Sequence, residues 1–252
     1  MSIILPFEKC PCGSGKRYIN CCFELNHQYC KISLTNSLNQ TITTKKKYYI
    51  IDKTLYQEYL EMIFGFLDFH MNKDYNLCLK DYPNLLYYID KLSNLFLISA
   101  DCHKGCDGCC YMPVAVTEFE ADYIKQHITQ NWTSKQKSDL HSKIQKIKQE
   151  YKEIFEFDYI VSKNNKLTFT PCLFLENGCC SIYPYRPAIC RTYMSFSPSE
   201  ICKEAQLNLN KDVKILEADS ANDFRTALYD FYFSHAKMVY GHQHLAYWFS
   251  CF

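Results

Sequence analysis

Apolar positions recur at helical spacing along most of the chain. From Asp52, a residue type suited to capping, Leu55, Tyr59, Met62, Ile63, Phe66 and Phe69 share one face and predict a helix. His70 and Met71 at its end read as packing residues. A second helix is expected from Leu85-Leu86 to Leu97-Ile98, opening after Pro83, since proline is at home in a first helical turn. Thr117-Glu118-Phe119-Glu120 has the form of a capping box and starts a helix reaching about His127. Leu140, Ile144, Ile147, Tyr151 and Ile154 then carry a long amphipathic helix whose Lys- and Gln-rich face belongs to solvent. The stretch from Ala227 through Phe231, His235, Tyr240 and His244 to Trp248 predicts a very aromatic helix that packs over the rest. Leu167–Leu175 has strand character and is followed by a turn at Glu176-Asn177-Gly178 and a return through Cys179-Cys180-Ser181-Ile182-Tyr183. The expected fold is therefore mostly helical with a small β-hairpin. Residues 31–47, ending in Lys45-Lys46-Lys47, read as a polar linker with a solvated edge.

Composition narrows the function classes. The 252 residues are 48% hydrophobic, which is ample for a packed core. Lys+Arg number 28 and Asp+Glu 27, so the chain lacks the one-signed field of a general nucleic-acid or anionic-membrane binder. No apolar run approaches the ~18 residues that span a bilayer. The start, Met1-Ser2-Ile3-Ile4-Leu5-Pro6-Phe7-Glu8, shows no basic segment ahead of a long apolar one, and a cytoplasmic location is expected.

The outlier is 16 Cys against 7 Gly. Twelve fall in three groups, within 10–22, 102–110 and 172–190, and Cys30, Cys78, Cys202 and Cys251 stand alone. Adjacent pairs occur at Cys21-Cys22, Cys109-Cys110 and Cys179-Cys180, where Cα atoms ~3.8 Å apart make an internal disulfide strained. Clustered soft thiolates without an export signal point to zinc or iron rather than to disulfides.

Cys10-Pro11-Cys12-Gly13-Ser14-Gly15-Lys16-Arg17-Tyr18-Ile19-Asn20-Cys21-Cys22 places four thiols on one short segment, as a single tetrahedral ion needs. Four thiolates on a dication leave a net −2, and Lys9, Lys16 and Arg17 lie close in sequence to offset it. This segment resembles the SEC-C motif, the metal-binding tail of the SecA preprotein translocase ATPase that is also found on many small bacterial proteins. The resemblance implies Zn2+ on Cys10, Cys12, Cys21 and Cys22, with His27 not required. It also implies contact with another protein or the ribosome.

Cys102-His103-Lys104-Gly105-Cys106-Asp107-Gly108-Cys109-Cys110 is a Gly- and Asp-rich loop that turns back on itself. About sixty residues on, Cys172, Cys179, Cys180 and Cys190 follow, a separation that makes sense if folding brings both groups to one metal. There are more thiols than one mononuclear ion uses, so two ions, one cluster with spare thiols, or an ion with an open position all fit. A two-residue Asn177-Gly178 turn would set Cys179 on the face of Cys172, and a three-residue turn would set Cys180 there. The pattern C-x3-C-x2-C-C followed by C-x-F-L and C-x-I-Y-x-x-R-P-x-x-C-R resembles the YkgJ-type cysteine-cluster proteins, described as zinc- or iron-chelating. That resemblance selects Cys180 over Cys179, and with it the three-residue turn. It implies Zn2+ or iron, a [4Fe–4S] centre included, at Cys102, Cys106, Cys109, Cys110, Cys172, Cys180 and Cys190. Arg186 and Arg191 fall on its two arginines, suited to offset a thiolate-rich anion or to form a salt bridge.

The domains expected are a knuckle over 1–25, a linker and helical segment over 26–100, and a cysteine-cluster domain over 101–252. The expected function is a metal-binding protein that presents a metal-stabilised surface to a protein or ribosomal partner. The alternative is an iron–sulfur or metal-dependent enzyme such as a protein lysine methyltransferase, since the flagellin lysine methylases resemble the second cluster.

Overall fold

The computed structural model describes residues 2–10, 14–24, 29–32, 49–97, 102–156, 170–195, 215–217, 227–228, 230–232, 234–235 and 243–252. Cys12, His27, Lys45, Lys46, Lys47, Ile98, Leu167, Tyr229, Phe233, Val239, Tyr240 and Cys202 lie outside the described residues.

The chain is mostly helical with small antiparallel sheets, as the hydrophobic pattern implies. Strands β1 (Ser2–Ile3), β2 (Tyr29–Ile32) and β3 (Tyr49–Asp52) form one sheet in that order. Asp52 ends β3 and caps α1 (Lys53–His70), its carboxylate accepting from the Thr54 and Leu55 amides. The predicted start of α1 is thus borne out.

Helix α2 (Tyr75–Leu97) departs from expectation, because Pro83 lies inside it rather than at its start. The true start signal is Asp74, whose side chain accepts from the Asn76 and Leu77 amides at 2.9 and 3.1 Å. Pro83 removes one helical donor, a loss near ~3 kcal/mol in an isolated helix. Packing of Cys78, Leu79, Tyr82, Leu85, Leu86, Ile89 and Leu92, all buried, carries the helix through it.

A strand β4 (Ala115–Val116) leads into α3 (Glu118–Asn131) through the complete Thr117/Glu120 capping box. Helix α3 runs past His127, and a second capping box, Thr133 with Gln136, opens α4 (Ser134–Glu150). Tyr151 ends α4, so Ile154 sits on a separate short turn at Lys152–Phe155. Beyond lie β5 (Leu175–Glu176), β6 (Cys179–Cys180), the short helix α5 (Ala188–Thr192), and the paired β7 (Tyr193–Ser195) and β8 (Ile215–Glu217).

The carboxy-terminal stretch is not one aromatic helix. Its first described helical residues lie within 227–234, Gln243–His244 then form β9, which pairs with β4, and a separate short helix α6 (Leu245–Trp248) follows. The Trp248 indole donates to the Val116 carbonyl at 2.9 Å, a long-range contact that helical periodicity does not encode.

Two apolar cores meet across α3. Phe119 and Tyr123 face a core built from α1, α2, Leu228, Phe231 and Tyr232. Ile124 and Ile128 face another, built from α4, Leu173, Phe174, Ile182, Trp248 and Phe249. A third, small cluster joins Ile4 and Tyr18 to Cys10 and Cys22.

His244 gives the fold an acid-sensitive point. Its buried ring accepts the Ala246 amide at 3.1 Å as the cap of α6, and burial lowers its pKa from 6.5 to about 4. The unfolded chain therefore binds more protons between those values, so this contribution is complete above pH 6.5 and disappears as pH falls towards 4. It amounts to on the order of 3 kcal/mol. Urea unfolding at pH 7.5 and at pH 5 is expected to show about 2 kcal/mol of this loss in the native chain and a smaller one in H244N, which keeps a capping acceptor without titrating. Equal losses in both would exclude His244 as the cause.

Candidate metal centres

The amino-terminal centre is built by a tight antiparallel ladder. Lys9 bridges Arg17, the Cys10 amide donates to the Lys16 carbonyl at 2.8 Å, and the Tyr18 amide donates to the Glu8 carbonyl at 2.8 Å. Gly15 turns the chain at φ +74°, where a side chain would be strained. A 3-10 turn at Tyr18–Asn20 then returns Cys21 and Cys22 to Cys10. The sulfur atoms of Cys10, Cys21 and Cys22 all lie within 4.8 Å of one another. Sulfurs sharing one tetrahedral Zn2+ at ~2.3 Å are ~3.8 Å apart, so this trio fits one face of such a site. The Ser14 hydroxyl lies 3.2 Å from the Cys21 sulfur. Lys9 and Arg17 are paired across the bridge, a like-charge pairing that a thiolate-bound metal beside it would offset.

The second centre assembles from three separate segments. The Cys172 amide donates to the Cys110 carbonyl at 2.7 Å, which ties the first cysteine loop to the hairpin. The hairpin turn has two residues, Asn177 and Gly178, with φ of 50° and 75°. That corrects the three-residue expectation. Cys180 nevertheless shares the side of Cys172, because Cys172 precedes the strand and the Leu175 amide bonds back to the Cys172 carbonyl at 3.0 Å. This extra turn breaks the alternation on which the two-residue argument for Cys179 rested. Cys179 is exposed and Cys180 is partly buried.

Electrostatics show which thiols share a neighbourhood. Cys109 is pushed far up, first by the hydrogen bond it shares with Cys110 and then by burial. Burial pushes Cys172 up to about 11, and Cys180 and Cys109 act on it as neighbours. Cys190 is raised by burial and then by Cys109, Cys172 and Cys180. Burial also raises Cys180, with Cys109 adding to it, while Arg186 and Arg191 pull the other way. Cys109, Cys172, Cys180 and Cys190 thus each have another cysteine of the group near enough to make them harder to ionise, and Cys110 is bonded to Cys109. A cation among them reverses that sign, so the donor set suits a soft metal. Among the described residues only the amino-terminal trio has three donors within 4.8 Å, so this second set is the more open one.

Cys102 sits beside β7, its sulfur accepting the Ser195 amide at 3.1 Å. Cys106 closes a turn by donating its amide to the His103 carbonyl at 3.0 Å, and His103 itself is exposed. No disulfide joins the cysteines whose side chains the structure describes.

Both arginine roles are present at once. Arg191 is buried, pairs with Asp90, and donates to the Arg186 carbonyl at 2.9 Å and to the Pro184 carbonyl. Arg186 lies 3.7 Å from Asp90 and stacks on Tyr183 at 4.0 Å. Its buried Nε has no hydrogen-bond partner among the described residues, and its positive charge favours the ionised forms of Cys109, Cys180 and Cys190.

Lys143 escapes the sequence reading, which assigns the polar face of α4 to solvent. It is half-buried, donates to the Leu175 carbonyl at 2.7 Å, and feels Cys172, Cys110 and Cys180. Burial lowers its pKa, and those thiols oppose the fall. The only available signal is its place one residue before the core residue Ile144. Cys78 is buried, as a small apolar residue would be, yet its sulfur lies 3.1 Å from His235 Nε2.

A family model described as "CxxCxxCC: Putative zinc- or iron-chelating domain" matches residues 101–214. Over these residues the chain is similar to that family, in agreement with the cysteine-cluster pattern. No curated protein and no solved structure matches the chain. Among the described residues, no helix is long and apolar enough to cross a membrane.

Proposed function

We propose that this chain is a metal-holding protein with two thiolate centres, whose metals rigidify surfaces used to contact a protein or ribosomal partner. Zn2+ occupies an amino-terminal knuckle of the SEC-C kind, held by Cys10, Cys12, Cys21 and Cys22. Zinc or iron occupies the second centre, with Cys109, Cys110, Cys172, Cys180 and Cys190 at its heart and Cys102 and Cys106 on the same loop. The observation that carries this reading is the convergence of the Cys10, Cys21 and Cys22 sulfurs within 4.8 Å. Thiolate–metal bonds supply folding free energy directly, which suits so short a segment.

The partner surface is supported by what surrounds the knuckle. Leu5, Phe7 and Phe23 are 62%, 71% and 50% exposed, and Lys9, Lys16 and Arg17 are exposed nearby. Large apolar side chains left in water beside a rigid turn mark a contact surface. The native chain is expected to co-sediment with ribosomes, while the F7E/F23E double variant, with metal content unchanged, stays at the top of the gradient. Co-sedimentation of both to the same extent would remove this surface from the account.

A further inference from the structure

Helix α5 carries Cys190 and Arg191, yet it begins at Pro187, whose side chain makes no capping hydrogen bond. A helix start without a cap leaves amide donors to be satisfied from elsewhere. The acceptor comes from α3. Glu120 Oε1 takes the Ala188 amide at 2.9 Å, and it also takes the Tyr232 hydroxyl at 3.2 Å and the Tyr82 hydroxyl at 3.5 Å. Those two hydroxyls are themselves 2.6 Å apart. The other carboxylate oxygen, Oε2, takes the Thr117 amide and hydroxyl at 3.3 and 3.4 Å and so completes the α3 capping box. Glu120 is only 4% exposed. One buried carboxylate therefore serves two helix starts, with one oxygen for each.

We propose that Glu120 is a positioning residue for the second thiolate centre: by holding the Ala188 amide it sets α5, and with it the Cys190 sulfur, against Cys109, Cys172 and Cys180. This rests on the reading of those thiols as metal ligands. The capping box accounts for Oε2 alone, whereas Oε1, which the Tyr232 and Tyr82 hydroxyls also approach, makes its shortest contact with the Ala188 amide. Oε1 acts two residues ahead of Cys190, on a helix of five residues whose start has no other described side-chain cap. Outer groups that orient ligands in this way change metal affinity by roughly 10–100-fold when lost.

The two oxygens can be tested separately in the full chain loaded with Co2+, which reports thiolate coordination through its charge-transfer absorption. E120Q keeps an acceptor for Ala188, and T117A removes only the capping box. Both are expected to retain the native spectrum and the native rate of Co2+ release to a chelator. E120A is expected to shift the spectrum and release Co2+ roughly tenfold faster. Should E120A fail to fold, A188P deletes the same hydrogen bond from the other side. Proline is tolerated at the first helical position, and Pro187 already has the extended conformation that precedes a proline, at φ −56° and ψ 159°. A188P is expected to behave as E120A does. Native spectrum and release in A188P, or a change in T117A as large as that in E120A, would overturn the positioning role alone. A native chain that takes up no Co2+ beyond the amino-terminal site would overturn the metal reading and this inference together.

Discussion

The C22S variant is expected to lose one metal ion per chain while the second centre keeps its own. Cys22 is buried in the small cluster with Ile4, Tyr18 and Cys10, and its sulfur belongs to the convergent trio. A serine hydroxyl is harder and far less acidic than a thiol, so it offers a soft-metal site almost nothing. The drop in affinity should exceed the roughly 10–100-fold seen when only an outer-shell group is lost. Because metal and fold are coupled at such sites, the ladder from Glu8 to Tyr18 should also become open to proteolysis. The comparison is C251S, which alters an exposed thiol at the far end of the chain and should leave metal content unchanged. Metal per chain after exposure to a competing chelator reads both. A C22S chain with native content would show that the trio does not hold the ion.

The second large effect is on stability. F119A is expected to destabilise the chain by about 3–5 kcal/mol. Phe119 is fully buried where α3 meets α2 and the helical residues of 227–234. Its ring meets Tyr82, Tyr75 and Phe231 edge-on, with centroids 5.0, 5.4 and 5.4 Å apart. Truncation forfeits transfer energy, leaves a cavity among rigid rings, and removes favourable edge-to-face contacts. Against a total of about 5–15 kcal/mol for a typical domain, that is a large fraction. A fall in melting temperature of roughly 10 °C follows. Y87A, at an exposed position of α2, should change little. If F119A melted with the native chain, the joined core across α3 would be refuted.

Much of this architecture was legible where a signal is local. Asp52 and the Thr117/Glu120 pair are side-chain-to-backbone bonds made within a few residues, so sequence carries them whole. The cysteine groups stand out for a similar reason, because a metal needs several donors within a few ångströms and short segments supply them. What was hidden depends on distant partners. Pro83 reads as a helix start until packing along α2 outweighs its missing donor. The hairpin turn is hidden because alternation of sides holds only along an unbroken strand, whereas Leu173-Phe174 form a turn ahead of β5. Lys143, Asp90 and the Oε1 contact of Glu120 are tertiary relations between α4, α2 or α3 and the later cysteine segments. No periodicity within one element encodes them. The break between the helical residues near 227–234 and β9 was lost because aromatic spacing there continues to look helical.

The most direct test of two thiolate centres is metal K-edge X-ray absorption on chain purified without oxygen, with the metal counted in the same sample. The account predicts at least two ions per chain, zinc or zinc with iron, in a first shell dominated by sulfur near ~2.3 Å. Metal-free protein, or ions in a shell of nitrogen and oxygen alone, would contradict it.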